Sequence, residues 1–207
     1  MRKFISTLLI ASILAISCSG CKSSPKLDIA NFEKYALSDL KLEKKDVSAQ
    51  DNNAYYDLDY TIDNTLSETK KLDHTAQVYS TAEGPVTSSL IMFYSDYQDE
   101  NEAKAFFEDL VMQEESMLSS AQTDTKNKST FSKGENYILI LTTQNDINWH
   151  FECLYYHKDV ILFASIAIGA SDINSINKEW LANVKKFFSD LKIKNPFSMA
   201  PEIDKLV

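Results

Sequence analysis

The chain has 207 residues, of which 44% are hydrophobic and 25% are charged, and its formal net charge is −9. This composition is typical of a globular protein, and the length suits one domain with a sizeable core. Arg2 is the only arginine, whereas nucleic-acid binding requires a dense basic surface, usually with arginines on phosphates and guanines. The composition therefore excludes a nucleic-acid-binding protein.

The first residues follow the order of an export signal. Met1-Arg2-Lys3 is positively charged, and Phe4 to Ile16 is an uncharged apolar stretch too short to span a bilayer. Positive charge stays on the cytoplasmic side, so the chain is directed outward. The stretch ends in Ala15-Ile16-Ser17-Cys18, which resembles the lipobox of bacterial lipoproteins, where small residues precede a cysteine that is acylated and becomes the new N-terminus.

This resemblance implies a signal peptide at residues 1–17 and a lipidated tether at residues 18–27. It also implies palmitate-like acyl chains on Cys18, which anchor the protein at about 0.8 kcal/mol per buried methylene. We expect a cell-envelope protein facing outside the cytoplasm, at the outer membrane where the organism has one. Cys21 is the alternative processing site, but it has Cys18 where the pattern prefers leucine. Processing before Cys18 reduces 21 basic residues to 19, all lysine, against 30 acidic residues, a charge of −11.

Cys153 is the third cysteine, and it alternates with Phe151 and Tyr155 in a strand-like run. We interpret it as a small buried hydrophobic residue. A disulfide between Cys153 and Cys21 is the alternative.

Residues 28–194 are predicted to form a single α+β domain. Apolar spacing gives a weak helix from Leu27 to Leu40, and the polar stretch from Lys41 to Asn53 predicts a turn or loop. Alternation predicts a half-buried strand with an acidic outer face at Tyr56 to Asp63. Two further strands are expected at Thr75 to Thr81 and Val86 to Tyr94, separated by a turn at Glu83-Gly84-Pro85.

The second half of the domain has the clearest helical patterns. One helix is predicted from Gln98 to Ser119, with Ser95 and Gln98 as a capping pair, and another from Ser175 to Leu191. Between them we expect strands at Thr130 to Thr143, Ile147 to Tyr156 and Val160 to Ile168, the last two joined through His157-Lys158-Asp159. Residues 195–207 are expected to form a loose C-terminal tail.

This order predicts an α+β fold in which two amphipathic helices pack on a largely antiparallel sheet. It resembles the PsbP-type α/β/α sandwich, which is also found in some bacterial lipoproteins. The resemblance lies in a strand leading into an acidic-capped helix (Leu90 to Leu118), the strands from Tyr137 to Ile168, and a final helix around Trp180 and Phe187-Phe188.

Two groups of residues have spacings found in metal sites, but neither meets the requirements of one. Asp57, Asp59 and Asp63 have calcium-loop spacing, but Ile62 stands where the sharp turn needs glycine, although Glu68 would fill the twelfth position. His150 and Glu152 share one strand face, but zinc needs three or four ligands and no HExxH motif or paired CxxC is present. We therefore expect no metal and no cofactor.

Catalytic motifs are absent from the sequence as well. His74, His150 and His157 are interpreted as surface or turn residues, no Gly-x-Ser-x-Gly elbow occurs, and Gly84, Gly134 and Gly169 are too dispersed for a phosphate loop. The tyrosines at positions 55, 56, 94, 97, 155 and 156 could line a sugar or peptide pocket, but strand aromatics are more often packing residues.

The sequence therefore predicts a membrane-anchored lipoprotein that acts as a non-enzymatic binding or accessory module, with membrane contact through its lipid. A protein, peptide or sugar is expected as its ligand. Two alternatives remain open, a cell-surface protein that binds host or neighbouring-cell molecules, and an envelope hydrolase whose site comes together only in the fold.

Overall fold

The computed structural model describes residues 24–51, 72–84, 86–120, 127–145 and 147–207. Within these ranges the helices are α1 (Ile29–Asp39), α2 (Glu100–Ser120), α3 (Lys178–Asp190) and the short α4 (Pro201–Asp204). The strands are β1 (Val47–Asp51), β2 (Leu72–Ala82), β3 (Ser88–Tyr97), β4 (Asn127–Gly134), β5 (Tyr137–Gln144), β6 (Asn148–His157) and β7 (Val160–Gly169). The predicted strand at Tyr56 to Asp63 and Pro85 of the predicted turn lie outside the described residues.

The described strands form one sheet in the order β1-β2-β3-β7-β6-β5-β4, and every neighbouring pair is antiparallel. Strands β1 to β3 make one meander and β4 to β7 make a second. The two meanders join where β3 pairs with β7, which places Ser89 opposite Ala167 and Phe93 opposite Phe163. The prediction of an α+β fold built on a largely antiparallel sheet is confirmed.

One face of the sheet, which we call face A, carries α1, α3 and the C-terminal residues. The ring of Phe32 in α1 lies 5.2 Å from Tyr94 of β3 and 5.9 Å from Phe187 of α3, measured between ring centroids. Cys153 is buried on this face beside Phe151, as predicted. Because side chains of a strand alternate between faces, every second residue of the central strands points into this core.

The opposite face, face B, is covered in part by α2. The predicted apolar stripe of this helix consists of Ala103, Phe106, Phe107, Leu110 and Val111. The first four are buried against face B, and Val111 is partly buried there. The helix begins after Asp99, whose carboxylate accepts a hydrogen bond of 2.7 Å from the backbone N–H of Asn101. The predicted cap at Ser95 is therefore wrong, because Ser95 lies fully buried inside β3.

The predicted loop from Lys41 to Asn53 contains the edge strand β1, so that prediction is wrong for residues 47–51. Val47 lies opposite Val78 and Asp51 lies opposite His74 in the ladder with β2. This strand has no alternating apolar pattern, since Val47 is followed by Ser-Ala-Gln-Asp. Backbone pairing with β2, rather than its own side chains, is what makes this segment a strand.

The predicted single strand from Thr130 to Thr143 is in fact the hairpin of β4 and β5. Residues Glu135 and Asn136 form its two-residue turn, and Gly134 lies opposite Tyr137. A Cβ atom at position 134 would come within 2.3 Å of the Tyr137 ring. A larger residue at position 134 would force the Tyr137 ring to move, so glycine lets that ring pack where the chain reverses.

Residues 195–207 are folded, so the predicted loose tail is wrong. The side chain of Asn195 accepts a hydrogen bond of 3.0 Å from the N–H of Phe197 and begins a 3₁₀ turn (Pro196–Met199) that leads into α4. Phe197 and Ile203 are fully buried in the face A core, and the Phe197 ring lies 5.4 Å from that of Phe151. Apolar burial holds this segment, and the domain therefore extends beyond residue 194.

Candidate functional site

The predicted lipidation residues, Cys18 and the alternative Cys21, lie outside the described residues. The rejected calcium pattern of Asp57, Asp59, Asp63 and Glu68 also lies outside them. The lipidation of Cys18 and the rejection of the calcium pattern therefore stay predictions. Within the described ranges, no helix is long and apolar enough to cross a membrane.

Cys153 is a free thiol that is 1% exposed. The alternative disulfide with Cys21 stays a prediction, because Cys21 lies outside the described residues. Burial raises the pKa of the Cys153 thiol far above its usual value, and a hydrogen bond with Tyr155 offsets this only in part. A thiol held protonated in this way is neither a nucleophile nor a metal ligand.

His150 and Glu152 share face B, as their spacing predicts, but they have different partners. The Nε2 atom of His150 lies 2.9 Å from the hydroxyl of Ser165 on β7. Glu152 lies near Glu114 of α2, whose pKa is raised by burial and by the charge of Glu152. In the part of the chain that the structure describes, no three His, Cys, Asp or Glu side chains come together as metal ligands.

The other predicted site residues also occupy separate places. His74 lies 3.5 Å from the carboxylate of Asp96, and His157 is at the β6–β7 turn. Tyr94, Tyr97 and Tyr155 are buried, which agrees with packing as their main role, whereas Tyr55 and Tyr56 lie outside the described residues. Tyr156 remains partly exposed and stacks on Phe107 at 5.4 Å.

A cleft of about 1110 Å³ opens at the end of the sheet where the β4–β5 and β6–β7 turns meet the segment after α3. We call it the lysine cleft because Lys158, Lys192 and Lys194 line it and are all exposed. Its other charged walls are Glu100 and Glu135. Its remaining lining includes the aromatic and amide side chains Asn136, Tyr137, Tyr155, Tyr156 and His157.

Backbone hydrogen bonds fix the turns that carry these residues. Lys158 has a φ of 56°, which the tight β6–β7 turn requires, and Asp159 of that turn accepts a bond of 2.8 Å from the N–H of Tyr97. The hydroxyl of Tyr155 donates to the carbonyl of Lys194 at 2.7 Å. Lys158 and Lys194 therefore project from defined backbone positions.

The electrostatics of the cleft also follow from its position. Partial burial, followed by the charge of Lys158, lowers the pKa of His157, so its imidazole is neutral at pH 7. Burial, followed by the charge of Glu100, raises the pKa of Tyr156. The phenol of Tyr156 thus stays protonated and can donate a hydrogen bond, while the lysines supply the positive charge.

The N-terminal end of the described chain lies at the same place. Pro25 lines the lysine cleft, and the N–H of Lys26 donates to the carbonyl of Leu191 at 2.8 Å. The segment leading back toward Cys18 therefore joins the domain at this cleft. We call this end of the sheet the tether end.

A second, shallower hollow of about 370 Å³ lies at the opposite end of the sheet, which we call the far end. Uncharged polar side chains dominate its wall, among them Thr87, Thr142, Gln144, Asn148 and His150. A Cβ atom at Gly169 would come within 2.2 Å of a methyl group of the exposed Val86, so a larger residue there would displace that side chain. This far-end hollow lacks the charge of the lysine cleft.

No family model matches the chain, and no curated protein matches it. Among solved structures, it is similar to the extracellular domain of PknH from Mycobacterium tuberculosis, with a TM-score of 0.41 and 9% sequence identity. The match covers 79% of this chain and 92% of that domain. At this level of similarity we transfer neither function nor location, and the resemblances to lipoproteins and to the PsbP-type sandwich stay predictions.

Proposed function

We propose that this protein is an exported bacterial lipoprotein, anchored through Cys18, whose α+β domain is a non-enzymatic binding module for a negatively charged ligand. The lysine cleft carries the proposal. It is concave, it combines cationic and aromatic side chains, and it lies where the chain continues toward Cys18. Support for the anchor itself comes from the charge, apolar run and Ser17-Cys18 junction of the sequence.

The side chains of the cleft suit binding better than catalysis. Lysine ammonium groups attract an anion, and the Tyr156 ring offers a flat face with a hydroxyl donor. Catalysis would need two titratable groups directed at one point, with shifted pKa values. Tyr156 and His157 both have shifted pKa values, but as neighbours in β6 they point to opposite sides of the sheet. Tyr155 is on the same side as His157, but it is buried, its raised pKa keeps the phenol protonated, and its hydroxyl already donates to the carbonyl of Lys194.

Replacement of Cys18 tests the anchor. We expect the Cys18→Ser protein to lose radiolabelled palmitate and to leave the membrane fraction, whereas Cys21→Ser keeps both the label and the location. If label is lost only in Cys21→Ser, the processing site is Cys21. If neither change affects labelling, the protein is not a lipoprotein of this kind.

Thermal unfolding of the lipidated protein in neutral detergent tests the cleft. We expect sugar phosphates or short acidic peptides to raise Tm, because a ligand that binds only the native state stabilises it. The double change Lys192→Gln/Lys194→Gln should abolish the rise. The control Lys41→Gln/Lys178→Gln removes the same charge elsewhere and should keep it. If only uncharged sugars raise Tm, the ligand is not an anion and the proposal is wrong.

A further inference from the structure

We propose that the lysine cleft is the surface by which the domain lies on the membrane, and that its partner is the headgroup layer of anionic phospholipids. This inference rests on the proposed function, since it takes the lipid on Cys18 as the anchor. It adds an orientation, with the tether end facing the bilayer and the far end facing away.

The length of the tether favours this orientation. Ser24 is the sixth residue after Cys18, and an extended chain spans at most about 3.5 Å per residue, so Cys18 lies within roughly 20 Å of the first described residue. Strand β6 has 10 residues, which corresponds to a sheet height of roughly 33 Å. The tether is therefore shorter than the domain is tall, which keeps the tether end nearest the headgroups.

The charge distribution favours the same orientation. Lysines outnumber glutamates three to two in the cleft lining, whereas acidic residues outnumber basic ones 30 to 19 in the chain processed before Cys18. Asp190, also at this end, is already bound to Lys186 at 2.5 Å, and that contact lowers its pKa. Asp28 and Asp159 also lie close to His157 at this end, and Lys186 is shared between Asp190 and Asp39. The attraction to an anionic surface therefore comes from the exposed lysines of the cleft, and not from the net charge of the whole tether end.

The chemistry of the rim also suits a headgroup layer. Lys158, Lys192 and Lys194 are exposed and can reach phosphate oxygens, which lysine binds as a point charge. Tyr156 is partly exposed between apolar packing and the cleft, a position like that of tyrosines at membrane interfaces. The lysine ammonium groups and the Tyr156 ring thus lie together on the side that faces the bilayer.

The test uses the mature lipidated protein in vesicles and measures the acylation rate of single lysines by mass spectrometry. We compare vesicles of phosphatidylcholine alone with vesicles that also contain phosphatidylglycerol. Lys192 and Lys194 should react about fivefold more slowly on the anionic vesicles, a protection that 0.5 M salt should remove. Lys178 is the control, because it is exposed at the start of α3, whose other end reaches the tether end.

Two variants sharpen the comparison. The change Lys192→Gln/Lys194→Gln should remove the protection of Lys158, and Lys41→Gln/Lys178→Gln should leave it intact. Equal rates on both kinds of vesicle, or equal slowing of Lys178, would overturn the orientation. Protection on neutral vesicles by free glycerol phosphate, as strong as that given by phosphatidylglycerol, would also overturn it, because the cleft would then be a small-anion site.

The outcomes separate this inference from the proposed function. If soluble anions raise Tm but phosphatidylglycerol does not change the acylation rates of the lysines, the proposed binding function is supported and the proposed membrane orientation is wrong. Loss of palmitate labelling in Cys18→Ser is independent of both results and reports on the anchor alone.

Discussion

Cys153 lies on face A between Phe151 and Tyr155, and its thiol is enclosed by the core. We expect it to resist thiol reagents in the native protein and to react only after unfolding, because its raised pKa and its burial remove the reactive thiolate. The measurement is labelling of the Cys21→Ser protein with and without denaturant. Rapid labelling of the native protein would show that the strand is not packed as described.

Replacement of the same residue tests the cost of a charge at this position. Cys153→Asp should destabilise the protein by about 3 kcal/mol or more, because an unpaired carboxylate in the core has no compensating contact. Cys153→Ala is the matched control and should cost about 1 kcal/mol. Urea unfolding measures both, and similar losses for the two variants would contradict the prediction.

Glu114 of α2 is half-buried near Glu152, and burial raises the pKa of its carboxyl above the ordinary value. A folded-state pKa above the unfolded one means that ionisation costs stability, and the cost is present above the folded pKa and absent below the unfolded one. Glu114→Gln should therefore raise Tm at pH 7 and give no gain below about pH 4.

Glu108→Gln serves as the control for this pH dependence. Glu108 is exposed on the same helix, 3.9 Å from Lys104, so its replacement should change stability by at most about 0.5 kcal/mol. A gain from Glu114→Gln that persists unchanged at low pH would indicate a cause other than ionisation.

At the scale of elements, the C-terminal segment is as much part of the core as the helices. Phe197→Ala should cost about 3–5 kcal/mol, because it leaves a cavity against Phe151 in a fully buried site. Ser198→Ala removes only an exposed hydrogen bond to the carbonyl of Asn195 and should cost at most about 1.5 kcal/mol. Equal unfolding midpoints for the two variants in urea would mean that the segment is loose after all.

The elements that the sequence predicted well are those that bury a periodic stripe. The main stripe of α2 and the alternation around Cys153 each report directly on which side chains meet the core. Segments that depend on other parts of the chain were missed. Segment 47–51 is a strand because its backbone pairs with β2. Residues 195–207 are folded because Phe197 and Ile203 pack into a core formed by strands that are distant in the sequence.

The candidate site was harder to predict than the fold. Lys158 lies in one turn and Lys192 and Lys194 follow a helix more than thirty residues later, so each is an ordinary solvated lysine in the sequence. Only the packing of α3 on face A brings them to one end of the sheet. The pair of lysines directly after a predicted helix was the one local signal, and charged residues at helix ends are too common to indicate a site.

For the whole molecule, we expect no metal-dependent or nucleotide-dependent stability. Its Tm should be unchanged by EDTA, calcium, zinc or nucleotides, and elemental analysis should find no stoichiometric metal. A calcium shift of several degrees would instead indicate the carboxylates of Asp57, Asp59 and Asp63. A zinc shift would indicate His150 and Glu152, with a third ligand supplied by the fold.

The joining of the two meanders through β3 and β7 has a consequence for how the chain reaches this structure. The chain is synthesised from its N-terminus, so β1 to β3 emerge well before their partner β7, and α1 emerges before the α3 residues on which it packs. Pairings between distant segments form slowly, and unpaired strand edges invite association with other chains. The N-terminal half of the protein therefore remains open to association with other chains until β7 and α3 have been made. The time that it spends in that state depends on the rate of chain synthesis.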